Sequence, residues 1–151
     1  MTWAVPLAAS LVIAATGEAA TLSQSEASLL SVMNEARRVH GLAPLHVDPR
    51  LEWAARRHSR KMLRTGTFFH GRFDLRIRGA GVRAPIIGEN LAWAAGGIAL
   101  AHAVVQMWLG SPAHRANLLR PGYRTVGVAA PLGPFAGYPS AHVVTADFAG
   151  T

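Results

Sequence analysis

Apolar residues recur at helical spacing in two segments near the start of the chain. The first segment follows SQSE at residues 23–26, which matches a capping box, and it continues up to Gly41. The second follows Asp48-Pro49, an N-cap residue and a proline suited to the first helical position, and runs to about Thr65. These patterns predict two amphipathic helices.

The middle of the chain has a less regular pattern. Residues 66–90 contain several glycines and show no clean period, which predicts a loop region with one short irregular element. Residues 96–110 predict a third helix. The pair Ser111-Pro112 repeats the cap-and-proline signal and predicts a short fourth helix over residues 113–119.

The period changes near the C-terminus, where β-branched and aromatic residues dominate. Residues 123–129 and 142–148 flank the Gly- and Pro-rich sequence PLGPFAGYPS, and they predict a hairpin of two antiparallel strands. Helices therefore come first and strands last. This order predicts an α+β fold in one domain, with helices packed on a small antiparallel sheet.

An apolar, uncharged run occupies residues 3–16 and is followed by small residues. The run is too short to span a bilayer comfortably, and Gly17-Glu18-Ala19 fits a small-x-small cleavage site. We interpret residues 1–20 as a signal peptide for export, so that the mature chain begins near residue 20 and has no transmembrane segment, and we place the folded domain at residues 25–150. The alternatives are an apolar N-terminal helix or an incorrectly assigned start codon.

Composition narrows the possible chemistry. Half of the residues are hydrophobic and 15% are charged, which argues against a disordered chain. The absence of cysteine excludes disulfides, thiolate metal sites and cysteine nucleophiles. The net charge is +7, and all but one of the basic residues are arginine. This bias is typical of GC-rich coding, but it also predicts non-specific attraction to anionic surfaces.

Three short motifs carry candidate chemistry: TFFHG with His70, GEN with Glu89, and SPAHRAN with His114. Neutral imidazoles and a carboxylate are common zinc ligands, although the three residues lie far apart in sequence. Each has a structural alternative. His70 could bond a loop carbonyl, Glu89 could cap a helix or pair with Arg115, and His114 could be a neutral structural residue in a helix's first turn.

Other sites are disfavoured by the sequence. Ser111 precedes Pro112 and is first a helix cap, and there is no GxSxG nucleophile elbow. Gly96-Gly97 lacks the lysine and further glycine of a phosphate loop. Specific nucleic-acid binding is not predicted, because Trp53 is the only aromatic residue within the arginine-rich second helix.

Taken in order, the motifs resemble the CAP superfamily of cysteine-rich secretory proteins, insect venom antigens and plant pathogenesis-related proteins. The likeness is greatest to short bacterial members that lack the cysteines, and it covers roughly residues 25–149. The matching segments are LLSVMNEARRVHGLAPL, DPRLEWAARRHSRKM, FFHG, IGENLAW, AVVQMWLGSPAHRANLL, YRTVGVAA and VVTADFA.

The resemblance implies a three-layer α-β-α sandwich and a cleft that gathers two histidines and two acids, able to bind a divalent metal. By motif, the histidines are His70 and His114 and the first acid is Glu89. Ser111 stands at the position of the second acid, which implies a weaker metal site or a binding cleft without metal. We expect Gly88 to let the backbone turn so that Glu89 points into the cleft.

Four further residues are expected to support this cleft: Asn90, Ser111, Arg115 and Asn117. Asn90, like Gly88, is expected to help the backbone turn at Glu89. No organic cofactor is implied, and the expected metal is zinc or another divalent cation.

The combined prediction is an exported binding module, secreted or in the periplasm or cell envelope, which takes a small-molecule, lipid or cell-wall ligand. One alternative is a metal-dependent hydrolase using the same cleft. Another is a basic protein that binds polyanions through Arg56, Arg60 and Arg64 of the second helix.

Overall fold

The computed structural model describes residues 21–96 and 100–151. In chain order the elements are α1 (Gln24–Val39), β1 (His46–Val47), α2 (Pro49–Thr65), α3 (Phe73–Gly79), β2 (Ile86–Ala95), α4 (Leu100–Gly110), α5 (Pro112–Leu118), β3 (Tyr123–Ala129), β4 (Leu132–Phe135) and β5 (Tyr138–Gly150).

One sheet organises these elements. Its strand order is β1-β3-β5-β2, and β4 pairs with β5 near the start of that strand. The strands β3 and β2 run antiparallel to β5, whereas the two-residue β1 is parallel to β3. In this register Glu89 on β2 lies directly opposite Asp147 on β5.

Helices cover both faces of the sheet. Successive side chains of β5 point to opposite faces, so each face of this strand presents its own row of side chains to a helical layer. Val144, Ala146 and Phe148 pack with residues of α1, α4 and α5. Ala141, Val143 and Ala149 pack toward α2 and α3. The structure therefore confirms the α+β fold and the three-layer α-β-α sandwich.

The predicted starts of the first two helices are confirmed by their caps. At α1, Ser23 N donates to Glu26 Oε2 at 2.8 Å and Glu26 N donates to Ser23 Oγ at 3.3 Å, which completes the capping box. At α2, Asp48 accepts a bond from the Arg50 amide. Helix α5 begins one residue before the predicted position, and residues 97–99 of the predicted third helix lie outside the described residues.

The prediction of a loop region with one short element for residues 66–90 holds as far as residue 85, with α3 as that element, and was wrong for residues 86–90, where β2 begins. This strand is covered on both faces, so its sequence lacks the alternation of a half-exposed strand. Glycine, glutamate and asparagine at its centre also have low strand preference. The predicted pairing of the last two strands is confirmed, but PLGPFAGYPS contains β4 as well as a turn.

The predicted export signal, residues 1–20, lies outside the described residues. Among the helices that the structure describes, none has the length and apolar character needed to cross a membrane.

Candidate functional site

Glu89 lies near the middle of β2 on the face toward α2 and α3, and its side chain is completely buried. Both carboxylate oxygens are bound. Oε1 accepts a bond from His70 Nδ1 at 2.7 Å, and Oε2 forms an ion pair with Arg76 Nη2. The same Arg76 nitrogen lies 3.3 Å from Oδ1 of Asp147. The only acid between Leu75 and Ala146 therefore has a cation and a second carboxyl group beside it.

Glu89 and Asp147 form a buried pair of carboxyl groups that share one guanidinium. Burial raises the pKa of Glu89 to about 7, and burial also raises the pKa of Asp147 well above its usual range. Within the described residues Asp147 Oδ2 is buried and has no hydrogen-bond partner. Since one arginine compensates one negative charge, the pair retains one proton near neutral pH. The two carboxyl groups share this proton, so the titration near pH 7 belongs to the pair, while Glu89 accepts bonds from His70 and Arg76.

The raised pKa of Glu89 predicts a pH dependence of stability. Its contribution is fully present below pH 4.5 and is lost as the pH rises through about 7, because the folded state holds the proton more tightly. The free energy of unfolding of Glu89→Gln, taken relative to that of wild type, should rise by about 3 kcal/mol between pH 4.5 and about 7. Urea unfolding at several pH values, with a chelator present, measures the difference. Parallel stability curves for the two proteins would contradict the prediction.

His70 follows two phenylalanines in the loop after α2, and its side chain is 53% exposed. An ionised carboxylate only accepts hydrogen bonds, so Nδ1 carries the proton in the bond to Glu89 and Nε2 keeps its lone pair. Burial and the nearby Arg76 lower the pKa of His70, which favours this neutral form. Arg76 Nη1 also donates to the backbone carbonyl of His70, which fixes the loop.

His58 on α2 supports the same loop from the interior. Its Nε2 lies 2.7 Å from the carbonyl of Phe69 and 3.9 Å from Glu89 Oε2. Burial lowers the pKa of His58 to about 4, so the ring is neutral and donates Nε2–H to that carbonyl. The neutral ring therefore holds the residue before His70 in place.

His114 and Ser111 form a second local pair at the start of α5. Ser111 is the N-cap residue, as predicted, but its hydroxyl makes no capping bond and instead lies 2.8 Å from His114 Nδ1. Burial, with a smaller effect of His70, lowers the pKa of His114. β2 is the outer strand of the sheet, which allows groups from its two faces to approach around its edge.

Two asparagines connect α5 to β2. Asn90 Nδ2 donates to the carbonyl of His114 at 2.9 Å, and Asn117 Nδ2 donates to the carbonyl of Glu89 at 3.0 Å. Because Asn90 and Glu89 are adjacent in a strand, their side chains lie on opposite faces. These contacts hold the His114 backbone next to the segment that carries Glu89.

The expected turn at Gly88 and Asn90 was wrong, because both residues lie in a regular strand. A Cβ at Gly88 would collide with the hydroxyl of Tyr123. The glycine is therefore needed for the close approach of Tyr123.

The structure also separates Arg115 from Glu89. Arg115 Nη2 contacts Nε2 of His40 at 3.2 Å on the exposed side of α5, and Arg76 occupies the position beside the carboxylate. The suggested pairing of Glu89 with Arg115 was therefore wrong. In the part of the chain that the structure describes, Arg115 makes no hydrogen bond to the three candidate site residues, so its predicted supporting role is not explained by a contact.

Sequence reasoning missed Arg76 and Asp147, and it did not anticipate the cavity beside them. This cavity has a volume of about 600 Å³ and lies against α2 and α3, with His70 and Arg76 in its wall. Within residues 21–96 and 100–151, no three histidine or acidic side chains are arranged as a ready metal-binding group. The sequence alone could not show which arginine forms the ion pair with Glu89, because the chain contains many arginines.

The family model described as CAP: Cysteine-rich secretory protein family matches residues 30–148. The chain belongs to this CAP family. The Bacillus subtilis (strain 168) protein YkwD is 30% identical over 119 residues, a match that covers 75% of this chain and 45% of YkwD. The CAP chain thus spans less than half the length of this relative.

Solved structures show the same CAP-type fold. An extracellular protein containing an SCP domain from Bacillus anthracis str. Ames is 26% identical with a TM-score of 0.70, covering 84% of this chain and 40% of that one. An outer surface protein from Borrelia burgdorferi is 22% identical with a TM-score of 0.72, covering 85% and 93% of the two chains. Bacterial proteins similar to this CAP chain thus include ones described as extracellular or as located at the outer surface.

Proposed function

We propose that this chain is an exported bacterial binding module whose ligand site lies at His70 and His114, with a divalent metal assisting. The observation that carries the proposal is the matched anchoring of the two rings. His70 Nδ1 is bound to Glu89, and His114 Nδ1 is bound to Ser111. The lowered pKa values favour neutral rings, and with Nδ1–H donating to Glu89 in His70 and to the Ser111 hydroxyl in His114, each Nε2 keeps its lone pair for a ligand.

The donor set fits a divalent metal held by two imidazole nitrogens. Neutral imidazole is a common zinc ligand, and a carboxylate behind a ligating histidine fixes the tautomer and the ring orientation. Both oxygens of Glu89 are already bound, so we assign it the positioning of His70 in place of the predicted ligand role. A bound metal would supply positive charge and coordination positions open to the ligand or to water.

The arrangement favours binding over hydrolysis. A general base must lie within hydrogen-bond reach of the proton that it removes. The side chains of Glu89 and Asp147 are completely buried, and Arg76 occupies an oxygen of each. The two carboxyl groups therefore set the charge behind His70 and do not contact a substrate directly.

Export is supported by the bacterial relatives described as extracellular or outer surface proteins and by the signal predicted at residues 1–20. We propose that the domain acts outside the cytoplasm, in the cell envelope or beyond it.

Zinc titration by calorimetry at neutral pH tests the site. We expect wild type to bind zinc, and we expect His70→Ala and His114→Ala each to remove the binding heat because each deletes one of two ligands. Glu89→Gln should weaken zinc affinity by about tenfold or more, since it alters the group that orients His70.

A matched control is His46→Ala, which removes an exposed histidine on β1. It should leave the zinc heat unchanged. The metal-assisted site would be contradicted if wild type gave no heat of zinc binding, or if the heat of zinc binding persisted in both His70→Ala and His114→Ala.

A further inference from the structure

The cavity against α2 and α3 has an unusually basic wall. Arg57, Lys61 and Arg64 of α2 face it together with Arg72 and Arg76. The first three are spaced at i, i+4 and i+7, so they lie along one side of the helix. Among the described residues none of these three forms an ion pair, whereas Arg72 pairs with exposed Asp74 and Arg76 with the buried acids.

Two of the unpaired cations are held over aromatic rings. The guanidinium of Arg57 lies 4.7 Å from the ring centroid of Trp53, and Nζ of Lys61 lies 5.4 Å from that of Phe69. Both rings belong to the same cavity wall. Such contacts orient a cation without neutralising it, so the wall presents ordered positive charge.

We propose that this cavity binds an acidic glycan strand, with Arg57, Lys61 and Arg64 contacting its carboxylate or phosphate groups and the exposed part of Trp53 packing against its sugar rings. This inference rests on the proposed function for the binding role of the cleft, and it adds the chemical class of the ligand. Of the predicted anion-binding residues Arg56, Arg60 and Arg64, it keeps Arg64 and replaces the other two by Arg57 and Lys61. Arg56 is engaged by Glu26 and Glu52, and Arg60 lines a separate depression.

The spacing of the cations fits a polymer with one acid per repeat. Residues one helical turn apart are separated by about 5.4 Å along the axis, which is comparable to the length of one sugar unit. A glycan fits better than a single-stranded nucleic acid, because base recognition needs open aromatic faces for successive stacking. Here Trp53 keeps half of its surface exposed, whereas Phe69 is partly buried under Lys61, so the wall offers one ring to a sugar and not a row of rings to successive bases.

The test uses hexagalacturonate as the acidic probe and maltohexaose as the neutral probe of equal length. We expect wild type to bind the acidic probe, with affinity that falls as salt rises, and to ignore the neutral one. Replacing Arg57, Lys61 and Arg64 together by glutamine should weaken binding by about tenfold or more, since three charge contacts are lost.

The matched control replaces Arg38, Arg60 and Arg124 by glutamine, which removes the same charge from exposed positions outside the cavity. Its affinity should remain within about threefold of wild type, because it keeps the contacting cations. Equal weakening in both triple variants would show a general charge effect and overturn the proposal. So would absent binding to hexagalacturonate, or tighter binding of a single-stranded DNA oligomer at the same salt.

Zinc calorimetry on the same variants separates this inference from the proposed metal site. The cavity variant should keep its zinc heat while losing glycan affinity. If it lost both, the substitutions would have damaged the cleft and the assignment to these three cations would be overturned.

Discussion

Replacing Arg76 by methionine should lower the free energy of unfolding by about 3 kcal/mol or more at neutral pH, because it leaves buried acids without their cation. The side chains of Glu89 and Asp147 are completely buried, and Arg76 contacts both. Without the guanidinium, both acids must be protonated to remain inside, so their pKa values should rise further. The loss of stability should therefore be larger at pH 8 than at pH 5.

Urea unfolding of Arg76→Met at these two pH values measures the effect. Arg78→Met is the matched control, since it replaces an exposed arginine of the same helix, and it should change stability by less than about 0.5 kcal/mol. Adding Glu89→Gln to Arg76→Met should recover a large part of the loss, because one of the two acids is then removed. Equal stability of Arg76→Met and Arg78→Met would show that the buried pair does not depend on Arg76.

The sequence predicted well those features that depend on local chemistry. The ends of α1 and α2 follow from Ser23 with Glu26 and from Asp48 with Pro49, because a cap and the helix it begins are neighbours in the chain. The strand β2 depends on packing from both faces, which a window of sequence does not contain. The second helical layer was supplied by the family resemblance, and packing of α2 and α3 on the sheet confirms it.

In the candidate site, too, residues in local motifs could be predicted, whereas residues brought together by strand pairing could not. Motifs identified His70, Glu89 and His114, and the structure joins His70 to Glu89. Asp147 lies 58 positions after Glu89 and becomes its neighbour only through the pairing of β2 with β5. Without a predicted β2, this pair of acids could not be inferred. The metal-binding role of the histidines stays a prediction.

Replacing Gly127 by alanine should destabilise the fold by about 3 kcal/mol or more, because α2 packs directly against the backbone of β3. A Cβ at this position would collide with main-chain atoms of Leu51 and Glu52. A side chain could rotate away from such a clash, but the backbone of a helix cannot. The variant must therefore move α2 outward, and α2 carries His58 and the basic wall of the cavity. Thermal or urea unfolding measures the loss of stability.

Gly133→Ala provides the control, because a Cβ there would lie 3.4 Å from the nearest side-chain atom of Leu63, an ordinary contact. Its stability should stay within about 1 kcal/mol of wild type. If Gly127→Ala matched this control, the packing of α2 on β3 would have to be looser than the structure shows. If instead Gly127→Ala is unstable as expected, the protein that remains folded should also bind hexagalacturonate less tightly. The cations on α2 and the loop that carries His70 keep their relative positions only while α2 stays packed against the sheet.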